Sequence, residues 1–363
     1  ATNPFRYGGG GGGFGGGGGG GGNNTTSSGG AGGGGGFGGG GGSTGRGLNA
    51  RGLGGNYGGN AGIGGSLGGG GGGGGGALGG GIFVADGATL RISDVASSSP
   101  ASNIISNSVV PGSGGVGSSG SGDPGTTDGV NLFLFRLASI VFDGSNNVAV
   151  PFAINADPAA PVSNLDSGIT VSTTLNATIT LSGNNTYRGA TTINSGTLAA
   201  GAVNTIPSAS NVILANVSGA TFDLNNNSQS IGTLSGGGAI GGEVKLTGFA
   251  TALTVNQSAD TTYGGVISGN GNLVKAGSSK LTLSGNNTYS GTTTINAGTL
   301  QAGAVNTIPS ASNVILANVA NAIFDLNDNS QSIGTLSGGG ASGGEVKLTG
   351  VATALTVNQT ADT

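Results

Sequence analysis

Carboxylates are the only side chains here whose type and spacing suggest acid–base chemistry. The 363 residues include no His and no Cys. That removes Ser-His-Asp triads, histidine and thiolate metal ligation, disulfides and the commonest general base. Asp223 and Glu243 stand 20 positions apart, about one coil of a solenoid. Stacked at about 5 Å, they would match the separation of a retaining glycosidase pair. The competing reading pairs Glu243 with Lys245, two along on the same strand face, as a solvated surface ion pair. The set recurs as Asp325, Glu345 and Lys347, and a repeated structural device explains that better than two active sites. Asp143, in FDGSNN, is a candidate calcium ligand, although Asp-Gly is first of all a turn signal. Calcium-binding nonapeptides of the GGxGxDxUx type are absent. No catalytic, cofactor or metal residue is therefore assigned.

The candidate ligand-binding residues are Tyr187 and Tyr289. Only five tyrosines occur, and these two share the motif NNTY. One reading makes them exposed aromatics that stack on a glycan or protein. The other makes each a cap at a coil corner, its hydroxyl bonded to backbone.

The elements that hold these residues repeat over a long period. Residues 179–261 and 281–363 are two copies of one sequence, 102 positions apart, differing at 12 of 83 aligned positions. A long period of short, turn-punctuated strands is the mark of a solenoid. The differences respect strand parity. Phe222 and Leu224 are kept as Phe324 and Leu326, while Thr221, the neighbour of opposite parity, becomes Ile323. Successive strand side chains face opposite ways, so one face is held and the other drifts. Segments such as ITLSG, ATTINSGTL, NVILAN and EVKLTG alternate Val, Ile, Thr and Leu, with Gly, Asn, Ser and Asp between them. No window keeps a period of 3.6, so helix content should be near zero. At roughly 20 residues per coil, the period makes about five coils. Residues 82–363 would then form a rod about 60–70 Å long at the interstrand spacing of ~4.8 Å.

Three regions are expected. Residues 1–81 hold 48 of the 87 glycines and read as a low-complexity insert with few side chains to bury. Residues 82–178 read as degenerate coils carrying a long Ser/Gly/Pro-rich loop at 95–130. Within them Leu132–Phe135 is apolar at both parities, so both faces of that strand should be covered. Residues 179–363 hold the two copies, joined by 262–280. Charged residues make up 7% of the chain and the net charge is −4, which points away from nucleic acid and anionic membranes. No apolar run reaches the ~18–20 residues of a membrane span. With no Met or signal peptide ahead of it, Ala1 reads as a processed end or the edge of an excised piece.

Gly269–Leu300 reads GNGNLVKAGSSKLTLSGNNTYSGTTTINAGTL. It resembles the autotransporter-associated β-strand repeat of bacterial type V secreted passenger domains. An N-L-x-K-x-G lead (Asn272, Leu273, Lys275, Gly277) precedes LTLSG, NTYSG and TTINAGTL. The first copy keeps ITLSGNNTYRGATTINSGTL but lacks a clear lead. The resemblance implies an all-β, right-handed parallel β-helix behind a Gly-rich N-terminal segment. It implies export through an outer-membrane β-barrel translocator and display at the surface of a Gram-negative-type bacterium, or release from it. It also implies a non-enzymatic adhesin or surface-display rod, with host-cell or neighbouring-cell glycans or proteins as partners and no cofactor. A structural surface coat or biofilm-matrix protein is the alternative. A β-helical polysaccharide-acting enzyme is the third reading.

Overall fold

The computed structural model describes residues 82–93, 132–156, 167–174 and 177–359, with short pieces between 40 and 128. Most of the Gly-rich region 1–81 and of the loop 95–130 lies outside the described residues. Two compact units are present, one of 1–83 and 106–133, the other of 84–105 and 134–363. In the first, Ala77–Leu78 pairs in parallel with Thr127–Asp128, and the rings of Phe83 and Phe133 stack at 5.7 Å. Leu132, Phe133, Leu134 and Phe135 are all buried, as apolarity at both parities requires.

The second unit is a parallel β-solenoid. Among the described residues every named element is a strand, and every paired strand runs parallel to its neighbours. The spine is an eleven-stranded sheet running from Thr89–Ile92 to Glu345–Lys347. An early six-stranded sheet, Val148–Val150 to Ile267–Gly269, forms a second side. A late six-stranded sheet, Gln229–Ile231 to Leu336–Gly338, forms the third. The chain visits them in a fixed order, as in Glu243–Leu246 (early), Ala252–Asn256 (late) and Thr261–Tyr263 (spine). Coil length varies around the 20 residues expected. Spine strands begin 19 residues apart at Thr261 and Lys280, and 30 apart at Ser139 and Ile169. Ten steps of ~4.8 Å make this spine about 48 Å long, shorter than the sequence estimate.

Inward positions carry the core. Burial alternates along Thr178–Leu181 and Glu243–Leu246, and the retained set Phe222, Leu224, Phe324 and Leu326 is fully buried. Corners use left-handed backbone. Asn225 and Asn226 have φ 46° and 62°, and Asn327 and Asp328 have 46° and 61°, a conformation that Asn and Asp tolerate better than most residues. Asp223 and Asp325 cap the two turns by accepting from the backbone N–H of Asn225 (2.8 Å) and Asn327 (3.0 Å).

The two copies do not sit alike. Thr178–Leu181 lies in the early sheet, but its counterpart Lys280–Leu283 lies in the spine. Val212–Leu214 lies in the spine, and its counterpart Val314–Leu316 in the late sheet. Gln229–Ile231 opens the late sheet, whereas Gln331–Ile333 pairs with Leu355–Val357 on the remaining side. Every counterpart moves one side over in the same sense. The 102-residue period is therefore four and two-thirds coils, not five.

The buried motif and the outward surfaces

NNTY lies where the strand ladder lapses. Between Thr178–Leu181 and Thr191–Ser195 there is no strand, so backbone groups of adjacent coils need other partners. Asn185 supplies them. Its Oδ1 accepts from the N–H of Ile154 (2.7 Å), and its Nδ2 donates to the carbonyl of Thr205 (2.8 Å). Asn287 does the same between Ile267 (2.7 Å) and Thr307 (2.8 Å). One inward amide thus replaces two rungs of the ladder.

Tyr187 and Tyr289 are 1% and 0% exposed. Tyr187 Oη lies 2.8 Å from Thr191 Oγ1, which lies 2.8 Å from Ser210 Oγ, which donates to the carbonyl of Gly189. Tyr289, Thr293, Ser312 and the carbonyl of Gly291 repeat the chain. Burial raises both phenols, that of Tyr289 to about 12. The rings fill the core and cannot touch a ligand. The exposed-aromatic reading of these two residues is thereby corrected, because NNTY alternates and places Asn and Tyr together on the inward parity.

The paired-carboxylate geometry does not form. Register sets Glu243 beside Thr221, and Asp223 beside Lys245. Glu243 instead meets Lys245 at 3.6 Å on the open surface and accepts from Ser268 Oγ at 2.6 Å. Asp223 accepts from Thr247 Oγ1 at 2.7 Å. Asp143 is held by Arg91 and by the hydroxyl of Ser93 at 2.6 Å. The Ser93 hydrogen bond and then Arg91 pull its carboxyl below the usual range, and that spent charge suits an ion pair better than calcium. Among the described residues no cluster of three or more His, Cys, Asp and Glu could hold a metal.

A residue passed over as a motif letter is Lys275. Its side chain is fully buried between Val255 and Ile295 in register. Its ammonium donates to the carbonyls of Ala276 (2.8 Å), Gly277 (2.9 Å) and Ala297 (2.9 Å). Burial lowers it to about 8, with the Asp260 carboxylate opposing. Three carbonyls satisfy all three donors, so the lysine ties a coil corner. Gly277, at φ +72°, completes it, since a Cβ there would sit 2.4 Å from the carbonyl oxygen of Gln257. Ahead of the first copy, Thr173 takes the lysine's place, its hydroxyl donating to the carbonyl of Ala177 at 3.1 Å. The alternation of NLVKA could have revealed an inward lysine.

Two outward regions remain. A shallow groove of roughly 560 Å³ lies along Ser218, Gly219, Thr221, Ile240, Glu243 and Lys245. Four of the 12 differences between copies fall in its wall, as Ala320, Asn321, Ile323 and Ser342. The other region is the strandless arc 201–211, identical to 303–313. Val203 and Val305 project from it, 62% and 60% exposed.

The passenger-associated-transport-repeat family matches at residues 176–200 and 273–302. The second match begins within the lead that carries Lys275, and the first begins beyond Thr173. The adhesin BmaC autotransporter of Brucella suis biovar 1 (strain 1330) is 42% identical over 125 residues, 34% of this chain and 4% of that protein. The chain thus matches a small fraction of that relative's length. No solved structure matches.

Proposed function

We propose that this stretch of autotransporter passenger, which lies at the surface of a Gram-negative bacterium, acts as a non-enzymatic adhesin segment. The observation that carries the reading is the match to a relative named as an adhesin, 42% identical over 125 residues. The solenoid supports it physically. The inward amides and hydroxyls of the repeat motifs are spent between coils, and Asp143, Asp223, Glu243 and Asp325 are spent on turns and surface pairs. What is left to act is the outward surface itself. A chain with no thiols also suits life outside the cell, where a free thiol would be open to oxidation.

Beads coated with the chain, incubated with epithelial cells or with neighbouring bacteria, test the reading. Attachment should saturate and should be competed by soluble chain. Attachment no greater than that of beads carrying an unrelated β-solenoid would leave only a spacer role. Release of reducing ends from neutral or acidic polysaccharides would restore the enzymatic reading.

A further inference from the structure

NNTY has two halves, and the fold uses one of them. Asn185 and Tyr187, like Asn287 and Tyr289, point inward and are buried. The outward half, Asn184 with Thr186 and Asn286 with Thr288, is exposed. No described residue bonds the side-chain amide of Asn184 or Asn286, or the hydroxyl of Thr288. The Thr186 hydroxyl accepts one long bond, 3.3 Å from the N–H of Ala156. The next outward positions differ between copies, Arg188 becoming Ser290 and Ala190 becoming Thr292. Asn and Thr stay, although neither packs in the core. Asn-x-Thr is the acceptor pattern for N-linked glycosylation, a modification of surface segments in exported chains.

The pattern alone selects too much. Among the described residues, Asn-x-Ser/Thr begins at Asn184, Asn216, Asn226, Asn256, Asn286 and Asn358. The fold separates them. Asn256 Nδ2 donates to Ser230 Oγ at 2.8 Å, and Asn358 Nδ2 to Ser332 Oγ at 2.9 Å, so the nitrogen that would carry the sugar is spent. Asn216 Oδ1 accepts from the N–H groups of Ile240 and Gly241, and its Nδ2 packs against Gly238, where an added Cβ would sit only 2.6 Å away. Asn226 stands in a left-handed turn at φ 62°, and its counterpart Asp328 ends the pattern there. Asn184 and Asn286 alone combine exposure, an unspent amide and a position outside any strand. Asn286 also opens on a groove of roughly 660 Å³, shared with Gly236, Gly237, Gly238, Gly264 and Ser284. A groove walled by glycines leaves a sugar ring room to lie against backbone.

We propose that Asn184 and Asn286 are acceptors for N-linked glycan, one in each copy of the repeat. In the transfer, Nδ2 bonds the anomeric carbon of a sugar carried on a diphosphate, and the bond from that carbon to the phosphate oxygen breaks. The diphosphate leaves with its electron pair, and one amide proton passes to a base of a separate transferase. Because the modified nitrogen has no partner in the fold, the sugar is accepted whether it arrives before or after the coils close. The two glycans leave from different sides, since Asn184 follows an early-sheet strand and Asn286 a spine strand.

The test recovers the chain from the surface of the bacterium that makes it and reads its peptides by mass spectrometry, with fragmentation that keeps sugars attached. Peptides holding Asn184 and Asn286 should be heavier by whole sugar residues, with the mass on the asparagine. Those holding Asn216, Asn256 and Asn358 should be bare. In the same bacterium Asn286→Gln and Thr288→Val should each strip the second site and leave Asn184 modified, while Thr288→Ser should keep it. Urea midpoints of these variants, made in a host without such a transferase, should match that of the parent chain and so exclude misfolding. Bare asparagine at either position overturns the proposal. So does sugar on the threonines instead, sugar that survives Thr288→Val, or equal occupancy at Asn216 and Asn256.

Discussion

Replacing Asn287 by Ala tests the argument that an inward amide substitutes for a missing strand. The substitution deletes an acceptor 2.7 Å from the N–H of Ile267 and a donor 2.8 Å from the carbonyl of Thr307. Both backbone groups lie in the interior between coils, out of reach of water. An unsatisfied buried group costs about 1–3 kcal/mol, so the pair costs about 2–6 kcal/mol. Asn286, its exposed neighbour, supplies the control, and Asn286→Ala should stay within about 0.5 kcal/mol. Urea denaturation measures both, with the midpoint read at unchanged slope. Amide exchange adds a local readout, because the Ile267 N–H should lose protection while amides several coils away keep theirs.

Asn287→Asp sharpens the test through pH. At neutral pH the carboxylate still accepts from Ile267 but faces the Thr307 carbonyl with a second acceptor. The folded state therefore raises this carboxyl's affinity for its proton. A carboxyl raised on folding is least destabilising when protonated, so the loss should shrink as pH falls through the carboxylate range and grow as it rises. The protonated acid can donate to Thr307 and accept from Ile267, as the amide does. Equal midpoints for Asn287→Ala and Asn286→Ala would refute the reasoning, as would a loss for Asn287→Asp that ignores pH.

Tyr187→Ala with Tyr289→Ala should cost about 3–5 kcal/mol at each site in thermal or urea unfolding, yet leave attachment per folded molecule unchanged. Leu326→Asp buries a charge where exposure is 0% and should be far less stable than Asn327→Asp, whose exposed left-handed turn accepts Asp. Lys275 falls from 10.5 to about 8 on folding, so the unfolded chain holds more protons between those values. Unfolding midpoints should therefore rise with pH from about 8 towards 10, by up to about 3 kcal/mol, and Lys275→Met should abolish that rise. Spin labels on cysteines introduced at Ser230 and Ser332, unique in a Cys-free chain, should lie farther apart than the about 22 Å of axial rise alone.

The solenoid was legible because its causes are local. Strand parity, turn residues and the long period are each written within a few residues, and Phe222, Leu224, Phe324 and Leu326 point inward as their retention requires. The fates of Tyr187 and Tyr289 were harder to read. A recurrent, rare aromatic suggests a surface, and only the parity shared by Asn185 and Tyr187 hinted otherwise. Stacking of Asp223 on Glu243 failed for a different reason. Residues 20 apart meet only if the intervening coil is 20 long, and register sets Glu243 against Thr221, two residues from Asp223. Coil length is a sum over corners and arcs, so an error of two residues anywhere displaces the pair.

The same accumulation explains the rotation between copies. Each copy contains two strandless arcs, 183–190 and 201–211 in the first, which cross a side without adding a strand to it. A side crossed by an arc leaves no sheet signal in the sequence, so counting strands miscounts coils. Four and two-thirds coils is as stable as five, because each coil contacts only its neighbours and no energy term compares one copy with the next. Nothing in folding therefore drives the period towards a whole number. The consequence falls on the surface, where a duplicated sequence places equal groups on unequal flanks. A further unit of this length would face the one flank the first two leave free. Duplication in a solenoid with a fractional period thus spreads one surface around the axis, and a binding face made this way grows in the number of directions it serves before it grows in strength along any of them.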